Sequence, residues 1–161
     1  MPNARSSNKT FAYTVYAGYR QFYLQDDLAT GSTAGNDFWT AEACTNMLAI
    51  NPGIIGVGTG SYAPVPVEII LTHTAPDDPF IEWDQVVEAS LQIHGTELQV
   101  CPCPDPVVEG HIPITPGTYR VRIYYGNLES SRETEEGDDY YRIIVWPAPW
   151  DSVRVLKSWI P

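Results

Sequence analysis

The side chains able to do covalent or metal chemistry are few, and their spacing limits what they can do. The cysteines are Cys44, Cys101 and Cys103, and His73, His94 and His111 stand apart from one another. Cys101-x-Cys103 with His94 and His111 would supply four ligands of the kind zinc takes. The one-residue spacing with a proline between is not that of a common zinc knuckle, so buried or loop thiols are the plainer reading. A cysteine nucleophile needs a nearby base and an electropositive setting, and nothing local in the sequence supplies either. There is no Gly-x-Ser-x-Gly elbow, no phosphate loop and no histidine pair at metal-helix spacing. The expectation is a non-enzymatic chain without cofactor or metal.

Carboxylates are denser. Asp77, Asp78, Glu82 and Asp84 form one group, and Glu133, Glu135, Glu136, Asp138 and Asp139 a second. Loop carboxylates are what Ca²⁺ takes, although no EF-hand spacing is present. A solvated loop and a contact surface for a basic partner are the other readings. A different chemistry gathers near the end of the chain, where Arg120, Arg122 and Tyr124 alternate with apolar residues and Tyr140, Arg142 and Trp146 follow on the next run. These residue types are enriched at interface hot spots. The same residues could also form cross-strand Arg–aromatic and Arg–acid pairs that simply cover a sheet.

The elements that must position these groups are strands. Phe11, Tyr13 and Val15 alternate with smaller or polar residues, and Tyr19–Gln25 follows after Gly18. Thr40 reads as the N-cap of one short helix carrying Glu42, Cys44, Met47 and Leu48, stopped before Asn51-Pro52-Gly53. Ile54–Val57 is a short strand. Val65, Val67, Ile69 and Leu71 mark another, which Pro64 and Pro66 place at an edge or a strand start. Val87–Ile93 turns at Gly95-Thr96 into Glu97–Cys101, and the alternating prolines of Cys101–Pro106 hold that stretch extended. Thr115-Pro116-Gly117-Thr118 turns into Tyr119–Tyr125, Tyr141–Val145 returns, and Val153 and Val155 open a last strand. Short strands with frequent turns read as an all-β fold, an antiparallel β-sandwich of about eight strands with one short helix. Residues 1–10 read as a disordered lead-in and 11–161 as a single domain.

Composition agrees. With 161 residues, ten Tyr, five Trp, twelve Gly and fourteen Pro, the chain is aromatic and turn-rich, as a multi-stranded sandwich requires. Its net charge of −11, with two Lys and seven Arg, lacks the basic footprint that nucleic acid demands. An acidic surface suits a basic protein, a divalent cation, or solubility alone. Three cysteines do not make a disulfide scaffold, Met1–Thr10 carries no apolar leader, and no stretch approaches the roughly 20 apolar residues of a membrane helix. A cytoplasmic protein with no membrane partner is expected.

Several segments together resemble the bacterial competence protein J family. They are Tyr19-x-Gln21-Phe22-Tyr23-Leu24-x-Asp26, then Trp39-Thr40-x-Glu42-Ala43, and Pro116-Gly117-x-Tyr119. Asp139-x-Tyr141 and Trp146-Pro147-Ala148-Pro149 are similar to bacterial proteins of comparable length. The likeness is scattered from about Tyr13 to Trp159, and the Gln-Phe and Trp-Thr-x-Glu-Ala segments are its most specific part. The resemblance implies an inhibitor of a DNA-entry nuclease, a small acidic protein presenting carboxylates where the enzyme expects phosphates. It transfers no catalytic residue. The longer acidic 129–139 loop and the Cys-Pro-Cys-Pro segment depart from the family pattern.

Two readings remain. One is an inhibitor or immunity-type partner of a basic bacterial nuclease or toxin, with Glu133, Glu135, Glu136, Asp138, Asp139, Asp77, Asp78, Arg122 and Trp146 as the contact residues. The other is a cation-dependent, carbohydrate-binding type of sandwich whose exposed Trp and Tyr stack on sugars. Removal of metal separates a zinc-stapled chain from both. Structural zinc contributes several kcal/mol to folding, so a chelator is expected to leave the melting temperature unchanged, and a chelation-induced loss of the fold would establish a Cys101/Cys103 metal site.

Overall fold

Period-two alternation decides which residues meet in the middle of this molecule. The computed structural model describes residues 8–34, 37–105 and 107–161. In chain order the strands are β1 (Lys9–Tyr16), β2 (Gln21–Asp26), β3 (Leu48–Asn51), β4 (Ile54–Gly58), β5 (Pro64–Leu71), β6 (Gln85–Ile93), β7 (Glu97–Cys101), β8 (Gly110–Pro113), β9 (Gly117–Gly126), β10 (Tyr140–Pro147) and β11 (Arg154–Lys157). Among the described residues there is a single α-helix, α1 (Ala41–Asn46), between β2 and β3. The first sheet has the order β1-β5-β10-β9-β6-β11 and the second β3-β4-β2-β7-β8.

The inward row of the first sheet is Val15, Val65, Val67, Ile69, Val87, Ala89, Leu91, Ile93, Tyr119, Val121, Ile123, Tyr125, Tyr141, Ile143 and Val145. It packs on Phe22, Leu24, Leu48, Ile55, Val57, Leu98, Val100 and Ile112 of the second. At one end Tyr141 stands edge-on to both Phe22 and Tyr125, with ring centroids 5.9 and 5.6 Å apart. Each large side chain so buried stabilises the fold by about 1.5–3 kcal/mol.

The all-β sandwich with one α-helix is as expected, and two details differ. The helix ends sooner: Thr40 Oγ1 caps it by accepting from the Ala43 amide at 3.1 Å, but Met47 adopts left-handed φ/ψ and Leu48 already begins β3. One strand pair is parallel, β5 with β10, so the sandwich is not wholly antiparallel. Of the two placements expected for Pro64 and Pro66, a sheet edge or a strand start, the second holds: β5 is interior to its sheet and begins at Pro64. Its pairing to β10 begins at Val67, so Pro64 and Pro66 sit where no partner on that side calls for an amide proton. Lys9 and Thr10, assigned to the lead-in, belong to β1, and Met1–Ser7 lie outside the described residues.

The two most specific segments of the family resemblance touch one another. Trp39 Nε1 donates to Gln21 Oε1 at 2.8 Å and Tyr23 Oη donates to the same oxygen at 2.6 Å. Phe38 and Trp39, their rings edge-on to one another, both pack against Gly56 of β4, where a Cβ would stand 2.8 Å from the Phe38 ring.

The passage from the first sheet to the second, between β6 and β7, is gripped by two carboxylates. Asp26 accepts from the amides of His94 at 2.8 Å, Gly95 at 3.0 Å and Leu28 at 3.2 Å, and Asp27 from Thr96 and Glu97 at 3.1 Å each. Burial raises the Asp26 pKa, but these backbone donors and the nearby His94 outweigh it, and the net displacement is downward. A lowered folded-state value means the stabilisation is complete above the unfolded pKa of about 3.9 and is lost as pH falls through the folded value. Asp26→Asn is therefore expected to cost about 2 kcal/mol at pH 7 in urea unfolding. The gap to the parent should close once the pH lies below the folded Asp26 value; a gap that persists there would rule out the charged carboxylate as its source.

Candidate functional site

Alternation on β9 and β10 sends Arg120, Arg122, Tyr124, Ile144 and Trp146 to the face opposite the core, in register across the two strands. Of the two readings of this face, an interface and cross-strand pairing that covers the sheet, the structure has the second, and Arg122 and Trp146 are not available as contact residues because two loops return over them. The β5–β6 connection brings Phe80 and Trp83 onto Val86, Tyr124, Ile144 and Trp146, forming a second apolar cluster. Arg122 lies between the rings of Phe80 and Trp146, 5.3 and 5.4 Å from their centroids. Arg122, Trp146, Arg120 and Tyr124 are buried; Arg142 and Tyr140 stay partly exposed beside Trp83.

The centre of this face is Glu88 of β6. Its two carboxylate oxygens accept from Arg120 Nε at 2.9 Å and Arg122 Nε at 2.6 Å. Arg120 then donates to the carbonyls of Asp151 at 3.0 Å and Ser152 at 2.7 Å, and Arg122 to that of Pro76 at 3.2 Å. Asp78 accepts from Tyr124 Oη at 2.7 Å and lies 3.4 Å from Arg122. The first acidic group is thus divided: Asp78 holds the covering loop, Asp84 accepts from the Leu128 amide at 2.7 Å, and Asp77 and Glu82 are exposed.

The second acidic group is also split. Asp139 is buried, accepting from the Ser61 amide at 3.1 Å and from the hydroxyls of Ser61 and Tyr141. Tyr141 Oη in turn accepts from the Gly60 amide at 2.8 Å; burial first and the Asp139 charge second push its pKa well up. The same Ser61 hydroxyl accepts from the Gly137 amide at 2.9 Å, and the Tyr62 amide donates to the Glu135 carbonyl at 2.7 Å. The base of the loop is fixed while Glu133, Glu135, Glu136 and Asp138 project into solvent, and among the described residues none of the four pairs with a cation.

Three tyrosines stand beside this loop, and the sequence reading did not single them out as a site. Tyr62 packs on Tyr19 at 5.3 Å and Tyr16 at 6.4 Å between ring centroids, while Tyr19 remains 63% and Tyr16 42% exposed. Tyr19 and Arg20 both have left-handed backbone, with φ of 55° and 60°. Consecutive non-glycine residues in that region are strained and persist only where the surroundings over-determine them. Here the Arg20 guanidinium binds the Gly60 carbonyl, and the Thr59 amide bonds the Arg20 carbonyl at 2.9 Å. The spacing Tyr16-x-x-Tyr19 was legible, but its meeting with Tyr62 depends on the turn.

Among the described residues no three His, Cys, Asp or Glu side chains are grouped to hold a metal ion. His111 pairs with Glu97 at 2.9 Å, and Cys101 is buried, its thiol pushed up to about 11 by desolvation. No helix among these residues is long and apolar enough to cross a membrane.

No family model and no curated protein matches the chain. Among solved structures, the crystal structure of ComJ, inhibitor of the DNA degrading activity of NucA, from Bacillus subtilis, is similar. Its TM-score is 0.67 at 14% identity, over 89% of this chain and 100% of that one. A protein described as crocagin biosynthetic gene J matches with a TM-score of 0.59 at 16% identity, over 89% of this chain and 99% of the other. Likeness at these identities establishes the fold, and it is the competence protein J fold that the sequence segments resemble.

The division between buried and projecting carboxylates has a measurable consequence. Glu88→Ala strands two buried guanidinium groups and is expected to cost about 3–5 kcal/mol in urea unfolding. Glu133→Ala should stay within about 0.5 kcal/mol of the parent. Equal small effects would mean that Glu88 does not hold the covering loops.

Proposed function

We propose that this chain is a non-catalytic inhibitor of a basic, DNA-degrading bacterial nuclease, acting in the cytoplasm and binding neither nucleic acid nor membrane directly. The observation that carries this reading is the fold shared with ComJ, a nuclease inhibitor. The net charge of −11 and the projecting carboxylates support it. Glu133, Glu135, Glu136 and Asp138 would occupy positions where the nuclease receives phosphates. Tyr16, Tyr19 and Tyr62 would supply the aromatic contact area that carries most of an interface's affinity. Asp139, Arg122 and Trp146 then act as supports behind that surface, and Asp77 lies apart from it as a rim charge.

A sugar-binding reading has one observation in its favour. Trp150 is 61% exposed at the mouth of a cleft of about 620 Å³, lined also by Leu28, Ile50, Pro52, Gln92 and His94. The cleft is mostly apolar, whereas a sugar requires many hydrogen bonds, so the nuclease reading is preferred.

The test is inhibition of a nuclease from the same cell. Exposed charges each contribute about 1 kcal/mol or less, so joint replacement of Glu133, Glu135, Glu136 and Asp138 by their amides should weaken inhibition about 100-fold. Most of the loss should appear in a slower, less salt-sensitive association, because steering between opposite charges is screened by salt. Tyr19→Ala should weaken inhibition by about tenfold or more through faster dissociation. Full inhibition by the amide variant would exclude charge mimicry, and absence of inhibition by the parent would exclude the nuclease reading.

A further inference from the structure

The two sheets end in four edges, and three of them are closed to further pairing. β11 has four residues, a register irregularity between Val155 and Lys157, and the cations Arg154 and Lys157. β3 has four residues and lies under α1. β8 has four and ends in Pro113. Short strands, bulges, charges and prolines are the usual means of blunting an edge.

β1 has none of these. It pairs with β5 without interruption over eight residues, and only Lys9 at its start is charged. The direction of its hydrogen bonds follows from its end. The Ala17 amide bonds Ala63 on the β5 side, and the Tyr16 carbonyl accepts from Cys103 on the opposite side. Alternation then turns the amides and carbonyls of Phe11, Tyr13 and Val15 toward β5 and those of Thr10, Ala12 and Thr14 away from it. Among the described residues nothing bonds those three pairs of backbone groups.

We propose that a second copy of this chain adds to this edge, β1 running antiparallel to β1 about a twofold axis through Ala12. The register is self-complementary: Ala12 faces Ala12 of the other copy, and Thr10 faces Thr14 in both directions. An isologous contact requires this reciprocity. The three facing pairs exchange about six backbone hydrogen bonds. Phe11 and Tyr13, half-buried in the isolated chain, come opposite one another on the inner side. Charge selects the same surface. With −11 on each copy, most contacts would oppose carboxylates, but Thr10, Ala12 and Thr14 are small and neutral. Glu68, paired with Ala12 across the ladder, is already neutralised by Arg142 at 2.7 Å. The resulting first sheet is continuous across both copies.

The experiment uses the isolated full chain, so its outcome is independent of any nuclease. Sedimentation at about 100 µM should give a dimer that strengthens as salt rises from about 50 to about 500 mM, because screening relieves repulsion between two acidic copies. Nuclease association has the opposite salt dependence. Ala12→Pro removes an outward amide and leaves the bonds of Phe11 and Tyr13 to β5, and it should give a monomer. Should that variant fold poorly, Thr10→Lys with Thr14→Lys sets like charges opposite one another and should do the same. In a Cys44→Ser background, Ala12→Cys should oxidise to a covalent dimer, since facing residues of a hydrogen-bonded pair lie about 5.5 Å apart at Cα, within disulfide reach. A monomer at all salt concentrations overturns the proposal. So does a dimer indifferent to both edge variants, or one that Ala12→Cys cannot crosslink. A chain that is monomeric alone but loses nuclease inhibition in Ala12→Pro would assign the edge to a strand of the partner instead.

Discussion

Two guanidinium groups share one carboxylate on the outer face of the first sheet, and much of the molecule is arranged around that contact. Glu88 satisfies one nitrogen of Arg120 and one of Arg122, and the remaining donors reach the carbonyls of Pro76, Asp151 and Ser152. These carbonyls belong to two chain segments with no regular secondary structure, so the pair does for loops what a neighbouring strand would do for a sheet. Burial of such charges is costly unless every donor is met, and among the described residues no buried side-chain nitrogen or oxygen lacks a partner. The aromatic cluster of Phe80, Trp83, Tyr124 and Trp146 forms only with the loops in place.

The acidic end is built on a different principle. Asp139, Ser61 and Tyr141 make a buried hydrogen-bonded foot, and among the described residues no cation pairs with the foot or with the charged residues above it. A rigid foot with an unpaired tip loses little conformational entropy on contact while keeping its charges available. Neighbouring carboxylates repel one another and destabilise the isolated loop slightly, an effect that a basic partner would relieve.

Sequence periodicity was enough to locate most strands, because the inward rows of β5, β6, β9 and β10 are nearly unbroken apolar series. Two strands escaped it. β3, Leu48-Ala49-Ile50-Asn51, continued a helical spacing, and only the left-handed Met47 cuts it off. β8, Gly110-His111-Ile112-Pro113, presents one buried apolar side chain and so shows no alternation. The outward placement of Arg120 and Arg122 was legible from the same alternation, but their burial was not, since it is imposed by loops whose own sequence has no period. The tyrosine cluster was hidden for a similar reason: Tyr62 lies over forty residues from Tyr19, and their contact is a property of two turns.

The parallel pairing of β5 with β10 joins residues 67–71 to 141–145 and places β10 between β5 and β9. As the chain leaves the ribosome, β1 and β5 can pair as an antiparallel ribbon, and β2, β3 and β4 as a three-stranded sheet with β4 in the middle. The second gains its next neighbour, β7, when Glu97–Cys101 is made, but the first lacks β10 until the last quarter of the chain has been made. For most of synthesis β5 therefore carries an open side, and the apolar row of Val65, Val67 and Ile69 is uncovered. Non-local pairing of this kind slows folding and exposes strand edges to aggregation. Pro64 and Pro66, on the side of β5 that awaits β10, would hinder a stray strand from bonding there first.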